Sequence, residues 1–483
     1  MEVGMVRWVL LCGVLGCAGE VERSAPGAED PEPGGGVDPF AERPDVSEGL
    51  VNVSHDLDAL LEFGALEGAC DRYREAPDDR RLKLMCGKSM FFYEGFGTIG
   101  IPTVLLDGLG SSLSSLGEAY ENLGLIADPY GPVGRPLGFG PGAPLEDVET
   151  LAMTCGSCHF GRLPDGRYAV GAPNHDYEYG AHMLALTLAP SAIAPGFDAS
   201  THHPDALAKL EPLLTELDEN PLFSAQLLLQ MLPMASLADE VPQMDWETEG
   251  HYAHWSPGTM DFVIAPLPID DGVHTVSKIA ALYGIPTDAE MADAGMPHAM
   301  LAWTGAAVSL TEFLDGFVRI GDGGDYTAAD LEPLRDYILS LRPPPVDPDN
   351  GTGEQVFAEA GCLSCHSGPQ GSGTRVYTFE EVETDDALRY WGDPELTGRP
   401  CCGLTDDPNV TLTHGVKSPR LVGLWGMGRF LHNGSVESLE ELLCVDGPRS
   451  VIDEPAYGNQ GHAYGCALSL SDKEALLDYL RSH

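Results

Sequence analysis

Positive charge is scarce in this chain. Lys and Arg number 26 against 75 Asp and Glu, a formal net charge of −49 over 483 residues. A nucleic-acid surface needs a basic face to neutralise phosphates, so that class is excluded. The carboxylate surplus has two readings. It keeps the chain soluble, or it offers a docking surface to a cationic partner. Long apolar runs are scarce too. The run from Trp8 to Gly16 follows one basic residue, Arg7, and is too short to span a bilayer as a mature helix. No later segment reads as a membrane span. What is present in ordinary amount is apolar residue, 43%, enough for two or three domains with real cores.

The opening residues read as an export signal. Glu2 suits such a signal poorly, and a start at Met5 removes it, giving Met5-Val6-Arg7-Trp8-Val9-Leu10-Leu11. The run ends at Val14-Leu15-Gly16-Cys17, which resembles a bacterial lipobox with Cys17 as the lipidated residue; Val14 stands where leucine is usual. The expectation is a lipoprotein signal peptide over 1–17 and a periplasmic or outer-membrane location. Membrane contact would come only through a lipid anchor at Cys17, and simple secretion is the alternative. Residues 18–48, including Pro31-Glu32-Pro33-Gly34-Gly35-Gly36, cannot bury a core and read as a disordered tether.

The chain contains 12 cysteines. Cys12 and Cys17 fall in the signal region. Four more build one pentapeptide twice, Cys155-Gly156-Ser157-Cys158-His159 and Cys362-Leu363-Ser364-Cys365-His366. Cys-x-x-Cys-His is the attachment signature of a c-type haem. On one helical turn the two sulfurs share a face and reach the two vinyl edges of one porphyrin. The next residue, histidine, reaches the iron as proximal ligand. A zinc site or a disulfide hairpin is the alternative, but a zinc ribbon would want a second Cys-x-x-Cys and no obligatory histidine. The reading is two covalently bound haems c, with Cys155, Cys158, His159, Cys362, Cys365 and His366 as their attachment residues and His159 and His366 on the irons. Cys70, Cys86, Cys401, Cys402, Cys444 and Cys466 remain. An even number in an exported chain points to disulfides. Cys70–Cys86 and Cys444–Cys466 would be local pairs and Cys401–Cys402 a vicinal one, while sequence alone leaves the connectivity open.

The fold class read from the pattern is mainly α, in two cytochrome c-type domains with long irregular loops. Leu57, Leu60, Leu61 and Leu66 suggest a first helix, 205–238 and 299–318 further ones, and Asp270-Asp271-Gly272 a turn. Gly171-Ala172-Pro173-Asn174 is a turn that could pass close to the first motif. Met231, Met234 and Met244 read as core filler rather than ligands. Thr327-Ala328-Ala329-Asp330 has a capping-box arrangement ahead of a helix carrying Leu331, Leu334, Ile338 and Leu341. That helix stops at Arg342-Pro343-Pro344-Pro345. Ser471-Asp472-Lys473-Glu474 reads as a second box ahead of a similar last helix, Leu476-Leu477-Asp478-Tyr479-Leu480 against Leu334-Arg335-Asp336-Tyr337-Ile338. Each motif is thus succeeded by a similar capped helix, an internal repeat. The expected domains are 49–342 and 349–483, joined by a proline linker at 343–348. Gly353 to Gly361 reads as a helix leading into the second motif, with Gly353 and Phe357 where small cytochromes c have them.

The C-terminal part carries a more specific resemblance. Lys417-Ser418-Pro419-Arg420-Leu421-Val422-Gly423-Leu424-Trp425, Phe430-Leu431-His432-Asn433-Gly434-Ser435-Val436 and Gly461-His462-Ala463-Tyr464-Gly465 resemble the di-haem cytochrome c peroxidase superfamily, nearest its rubber-oxygenase branch. The match covers about 325–480; before that mainly Cys155–His159 and the 171–174 turn carry it. The resemblance implies a reactive N-terminal haem that meets peroxide or oxygen, and a six-coordinate C-terminal haem that relays electrons. It implies His462 as distal partner of His366, with His432 as the rival and Met427 as a further alternative. For the first haem, His175, His182, Met183, His251 and His254 all stay open as sixth ligands. Asp176 and Glu178 are the nearest acids and are not assigned a catalytic role. Rubber cleavage itself is not implied, because the likeness thins where substrate would bind.

Two classes of function therefore stand. One is an exported peroxidase-like or oxygenase-like di-haem oxidoreductase served by a redox protein or small electron donor. The other is an electron carrier with both irons saturated and no substrate chemistry. The size of 49–342 exceeds what one carrier haem needs and favours a shaped pocket. A binding or sensor protein that retains the haem fold is a weaker third.

Overall fold

The computed structural model describes residues 40, 43–98, 100–107, 120–132, 135–144, 148–193, 196–231, 244–261, 274–296, 301–305, 307–321, 323–324, 326–346, 351–390 and 415–483. The signal segment, most of the tether, Met234, Asp270 to Gly272, Cys401 and Cys402 lie outside them, as does the side chain of Met231. Helices dominate; the strands are two to four residues long and pair in small antiparallel sheets. The elements used here are α1 (Arg80–Tyr93), α2 (Tyr179–Ile193), α3 (Trp246–His254), β1 (Thr259–Asp261), β2 (Val276–Lys278), α4 (Leu310–Ile320), α5 (Ala328–Ser340), α6 (Thr352–Glu359) and α7 (Leu470–Arg481). None of the described helices is long and apolar enough to cross a membrane.

Two helix crossings organise the core, and they share one device. A Cβ at Gly87 of α1 would lie 2.1 Å from the Pro333 carbonyl oxygen and 2.6 Å from Tyr337 Cβ on α5. A Cβ at Gly353 of α6 would lie 2.2 Å from the Ala475 carbonyl oxygen and 2.3 Å from Tyr479 Cβ on α7. Only glycine lets the backbones approach so closely. One turn beyond each glycine a phenylalanine meets the same tyrosine, Phe91 with Tyr337 at 5.9 Å and Phe357 with Tyr479 at 5.5 Å between ring centres. Tyr337 and Tyr479 are equivalent positions of the internal repeat. The α1–α5 pair sits in one apolar cluster with Leu331, Leu334 and Ile338 buried, and the α6–α7 pair in another with Leu476, Leu477 and Leu480.

The cap of α5 is as expected: the Thr327 hydroxyl accepts from the Asp330 amide, and the Asp330 carboxylate accepts from the Thr327 amide. The expected cap of α7 is corrected. The N-cap is Ser469, which accepts from the Asp472 amide, so the helix begins earlier than a cap at Ser471 would allow. The repeat becomes tighter for it, since Thr327 to Leu334 and Ser469 to Leu476 are the same interval. Three other expectations are also corrected. The segment 57–66 is two helices, Leu57–Leu61 and Phe63–Leu66, split at Glu62, whose φ is 47°. The 205–231 stretch is three short helices, Pro204–Lys209, Glu211–Glu219 and Pro221–Met231, since each proline sits best in a first turn. The 299–318 helix begins only at Leu310, because Ser309 caps it and Leu301 pairs with Ala307 in an isolated bridge.

Cys70–Cys86 and Cys444–Cys466 are disulfides. A third apolar cluster, around α2 and α3, holds Cys158, Tyr177, Tyr179 and Met244 and takes in Ala387, Ala456 and Tyr457 from the C-terminal part. Met244 is buried core, as expected.

The crossings give a direct test. Gly353→Val and Gly87→Val should each lower stability by about 3 kcal/mol, the upper range for forcing volume into a filled contact. Urea unfolding checks this. Gly316 of α4 is the control, because an added Cβ there meets nothing within 4 Å. Gly316→Ala should not lower stability, since alanine is the better helix former.

Candidate functional site

Thr154 starts the first motif. Its hydroxyl accepts from the Gly156 amide at 3.2 Å and donates to the Phe91 carbonyl at 2.9 Å, which ties the turn Cys155–Cys158 to the end of α1. The His159 amide closes the turn on the Cys155 carbonyl at 2.8 Å. The 171–174 turn straps the motif from outside, with the Gly171 amide on the His159 carbonyl and the Asn174 amide on the Cys158 carbonyl, each 2.8 Å. His159 Nδ1 lies 2.8 Å from the Ala280 carbonyl oxygen. A carbonyl only accepts, so Nδ1 carries the hydrogen and Nε2 is the nitrogen left for a ligand. The side chain retains accessible surface, yet desolvation pulls its pKa down to about 4. Its imidazole is therefore neutral.

The second motif repeats this geometry. The His366 amide closes on the Cys362 carbonyl at 3.0 Å. His366 Nδ1 donates to the Gly371 carbonyl at 2.7 Å, again leaving Nε2. Burial pulls this imidazole down to about 4 as well. The four motif cysteines are free thiols, while Cys70, Cys86, Cys444 and Cys466 are paired. The disulfide alternative for the motifs is therefore not the arrangement this structure forms. Burial raises the Cys155 and Cys158 thiols to about 12 and 11.

One strap joins the two sites. Arg420 donates to the Ala281 carbonyl at 2.8 Å and the Tyr283 carbonyl at 2.9 Å, next to the Ala280 that holds His159. The Leu421 amide donates to the Gln370 carbonyl at 2.9 Å, next to the Gly371 that holds His366. The Ser418 hydroxyl donates to the Cys365 carbonyl, and Lys417 Nζ donates to the Ser372 hydroxyl at 2.8 Å. Residues 417–421 thus clasp both loops that orient the motif imidazoles. Desolvation lowers Lys417 to about 7 and Arg420 to about 10. A third cation, Lys278, donates to the Arg429 carbonyl at 2.9 Å beneath the rings of Trp303 and Phe430 and is lowered by desolvation to about 7. Sequence reading misses all three roles. Basic residues are rare here, but nothing local marks which of them are buried.

The expected sixth ligands separate. His462 takes a left-handed backbone, φ 46°. Its Nδ1 is buried with no hydrogen-bond partner, and its charge adds to burial in depressing the pKa of His366. Tyr464, packed on His462 at 5.3 Å, is an electrostatic neighbour of Cys365. His432 lies toward Lys278, whose amide donates to its carbonyl at 2.8 Å; its Nε2 is buried without a partner. Met427 packs partly buried against apolar residues. His175 Nε2 sits 2.8 Å from the Gly426 oxygen and 3.0 Å from the Gly428 nitrogen, clamping the two halves. His182 Nδ1 lies 2.9 Å from the Tyr177 hydroxyl, and its Nε2 has no partner. Met183 is core. His251 pairs with Glu454 and His254 with Asp205. Asp176 is exposed, and Glu178 pairs with Lys209 at 2.9 Å. Among the described residues no three His, Cys, Asp or Glu side chains converge as metal ligands, unlike a zinc ribbon.

No family model matches the chain, and no curated protein matches it. Among solved structures, a chain of Kuenenia stuttgartiensis hydrazine synthase, from a crystal pressurised with xenon, is 18% identical with a TM-score of 0.26 over 48% of this chain and 79% of that one. A likeness at that level supports no conclusion about fold or function.

The strap predicts a graded response. Arg420→Ala leaves two buried carbonyls unpaired and should cost about 3 kcal/mol, while Arg420→Lys, able to reach one of them, should cost about half as much. Equal costs in urea unfolding would show that the two hydrogen bonds contribute little.

Proposed function

We propose that the chain is an exported di-haem c-type cytochrome oxidoreductase, peroxidase-like or oxygenase-like. It would comprise two cytochrome c-type domains, 49–342 and 349–483, around the linker at 343–348. The observation that carries the reading is the paired geometry of the motifs. Two Cys-x-x-Cys-His turns keep free thiols, and each holds a neutral imidazole by an Nδ1–H to carbonyl bond that leaves Nε2 available. Such outer hydrogen bonds orient a metal-ligating histidine. The residues therefore fit haem c, with Cys155, Cys158, Cys362 and Cys365 for covalent attachment and His159 and His366 for the irons. Bound haem supplies one-electron redox chemistry and, at an open coordination position, reaction with peroxide or oxygen.

Different surroundings support different roles. Beside His366 stands His462, a half-buried residue whose Nδ1 is buried without a partner, suited to saturate the C-terminal site for electron relay. Around the first motif, His251 and His254 are paired with carboxylates and His175 is held through Nε2, with Nδ1 buried and without a partner; the two engaged imidazoles support an open, reactive N-terminal site. The strap 417–421 fixes both imidazoles in one frame and so limits reorganisation between the sites. The two disulfides suit an oxidising compartment and accord with an exported lipoprotein anchored at Cys17. Electrons would come from a redox protein, cationic by charge complementarity, or from a small donor.

An electron carrier with two saturated sites is the second reading. One observation favours it: His182 keeps Nε2 free inside the cluster that contains Cys158.

Low-temperature EPR of the ferric protein, with optical spectra before and after peroxide, separates the two. The enzyme reading predicts one high-spin signal that peroxide shifts, and one low-spin signal lost in His462→Ala but kept in His432→Ala. Two low-spin signals indifferent to peroxide, even after partial reduction, would leave an electron carrier. Loss of the low-spin signal in His432→Ala alone would reverse the ligand assignment.

A further inference from the structure

Five histidines and four acids, none of them part of a motif, gather where α3, β1 and the loop ahead of His462 meet. From them we infer that a chain of carboxylates and imidazoles carries protons from solvent to the first motif. The inference rests on the reading that this motif's site reacts with peroxide.

The chain runs inward in order. Asp205 Oδ2 lies 2.9 Å from His254 Nε2. His254 Nδ1 lies 3.5 Å from Glu454 Oε1, and the same oxygen lies 2.7 Å from His251 Nδ1. The His251 ring packs on the His274 ring at 5.0 Å. His274 Nδ1 lies 3.6 Å from Asp261 Oδ2. Side-chain exposure falls at every step, from 56% at Asp205 through 43, 24, 14 and 12% to 0% at Asp261. An ion-pair cluster on a surface has no reason to be graded in this way.

The inner end is Asp261. Asp261 Oδ1 accepts from the Thr275 hydroxyl at 2.8 Å, but Oδ2 is buried with no hydrogen-bond partner. That oxygen faces His274 Nδ1 at 3.6 Å, longer than a hydrogen bond, and a buried carboxylate oxygen held no closer is costly. Asp261 is an electrostatic neighbour of Tyr179, and Tyr179 of Cys158. Asp261 also faces Val276 across the β1–β2 hairpin, whose second strand leads to the Ala280 that holds His159. The flanking charges are accounted for. Lys209 pairs with Glu178, and Glu249 holds His202 and the His203 amide.

Reducing one peroxide to two waters consumes two electrons and two protons. The electrons come from the redox donor through the second site. Each proton enters at Asp205, and every member passes one on as it takes one up, so the chain ends each turnover unchanged. Relays of this kind work because histidine binds and releases protons near physiological pH.

Asp261→Asn and Glu454→Gln keep shape and remove the exchangeable carboxylate. Proton uptake on mixing the loaded protein with peroxide and reductant is followed by an indicator dye, together with EPR and midpoint potentials. Both variants should slow uptake at least ~10-fold, with wild-type EPR and potentials, and added formate should restore part of the rate. Glu454 is partly exposed, so its variant reports even if Asp261→Asn fails to fold. Wild-type uptake rates in Glu454→Gln or Asp261→Asn would overturn the relay while leaving the function standing. A wild-type protein that takes up no protons with peroxide would sink both.

Discussion

Everything in this structure leans on one bond made twice, an imidazole Nδ1–H held by a backbone carbonyl. Ala280 does it for His159 and Gly371 for His366. The bond fixes the tautomer, aims Nε2 and locks the ring. It would drift if the carbonyl loops moved, and the strap from Lys417 to Leu421 prevents that by hydrogen-bonding to both loops at once. The strap is long in consequence and short in sequence. Lys417 and Lys278 are buried and Arg420 half-buried, and they serve backbone and hydroxyl oxygens rather than carboxylates.

Beneath each motif lies the same helix crossing, a glycine against a tyrosine with a phenylalanine one turn on. The two copies differ in the chain that leaves the first helix of each. After Phe357 the chain reaches Cys362 at once. After Phe91 it makes an excursion through 94–154 before reaching Cys155, and Thr154 must hydrogen-bond back to the Phe91 carbonyl to restore the geometry. The extra chain of the first half, together with α2 and α3, builds the aromatic cluster beside Cys158.

Much of this is legible in the residues. The motifs are local, so spacing alone exposes them, whereas Cys70–Cys86 and Cys444–Cys466 stand in the sequence only as plausible local pairs and need the structure to fix their connectivity. The repeat of the capped helices is visible too. Its last cap is easily misplaced, because Ser471 and Ser469 both precede an acid at a workable spacing and only the backbone distinguishes them. The match of Gly87 and Phe91 to Gly353 and Phe357 is present in the sequence and concealed by the 94–154 excursion. Lys278, Arg420 and the Asp205 to Asp261 chain cannot be read at all, because each depends on segments distant in sequence meeting in space.

Covalent haem at both motifs is the central claim, and intact-mass measurement of the purified protein tests it most directly. The expected mass exceeds that of the polypeptide by two haem groups, and falls by one in Cys362→Ser/Cys365→Ser and by one in Cys155→Ser/Cys158→Ser. A polypeptide mass with no added haem, or haem that acidified solvent extracts from the chain, would contradict it.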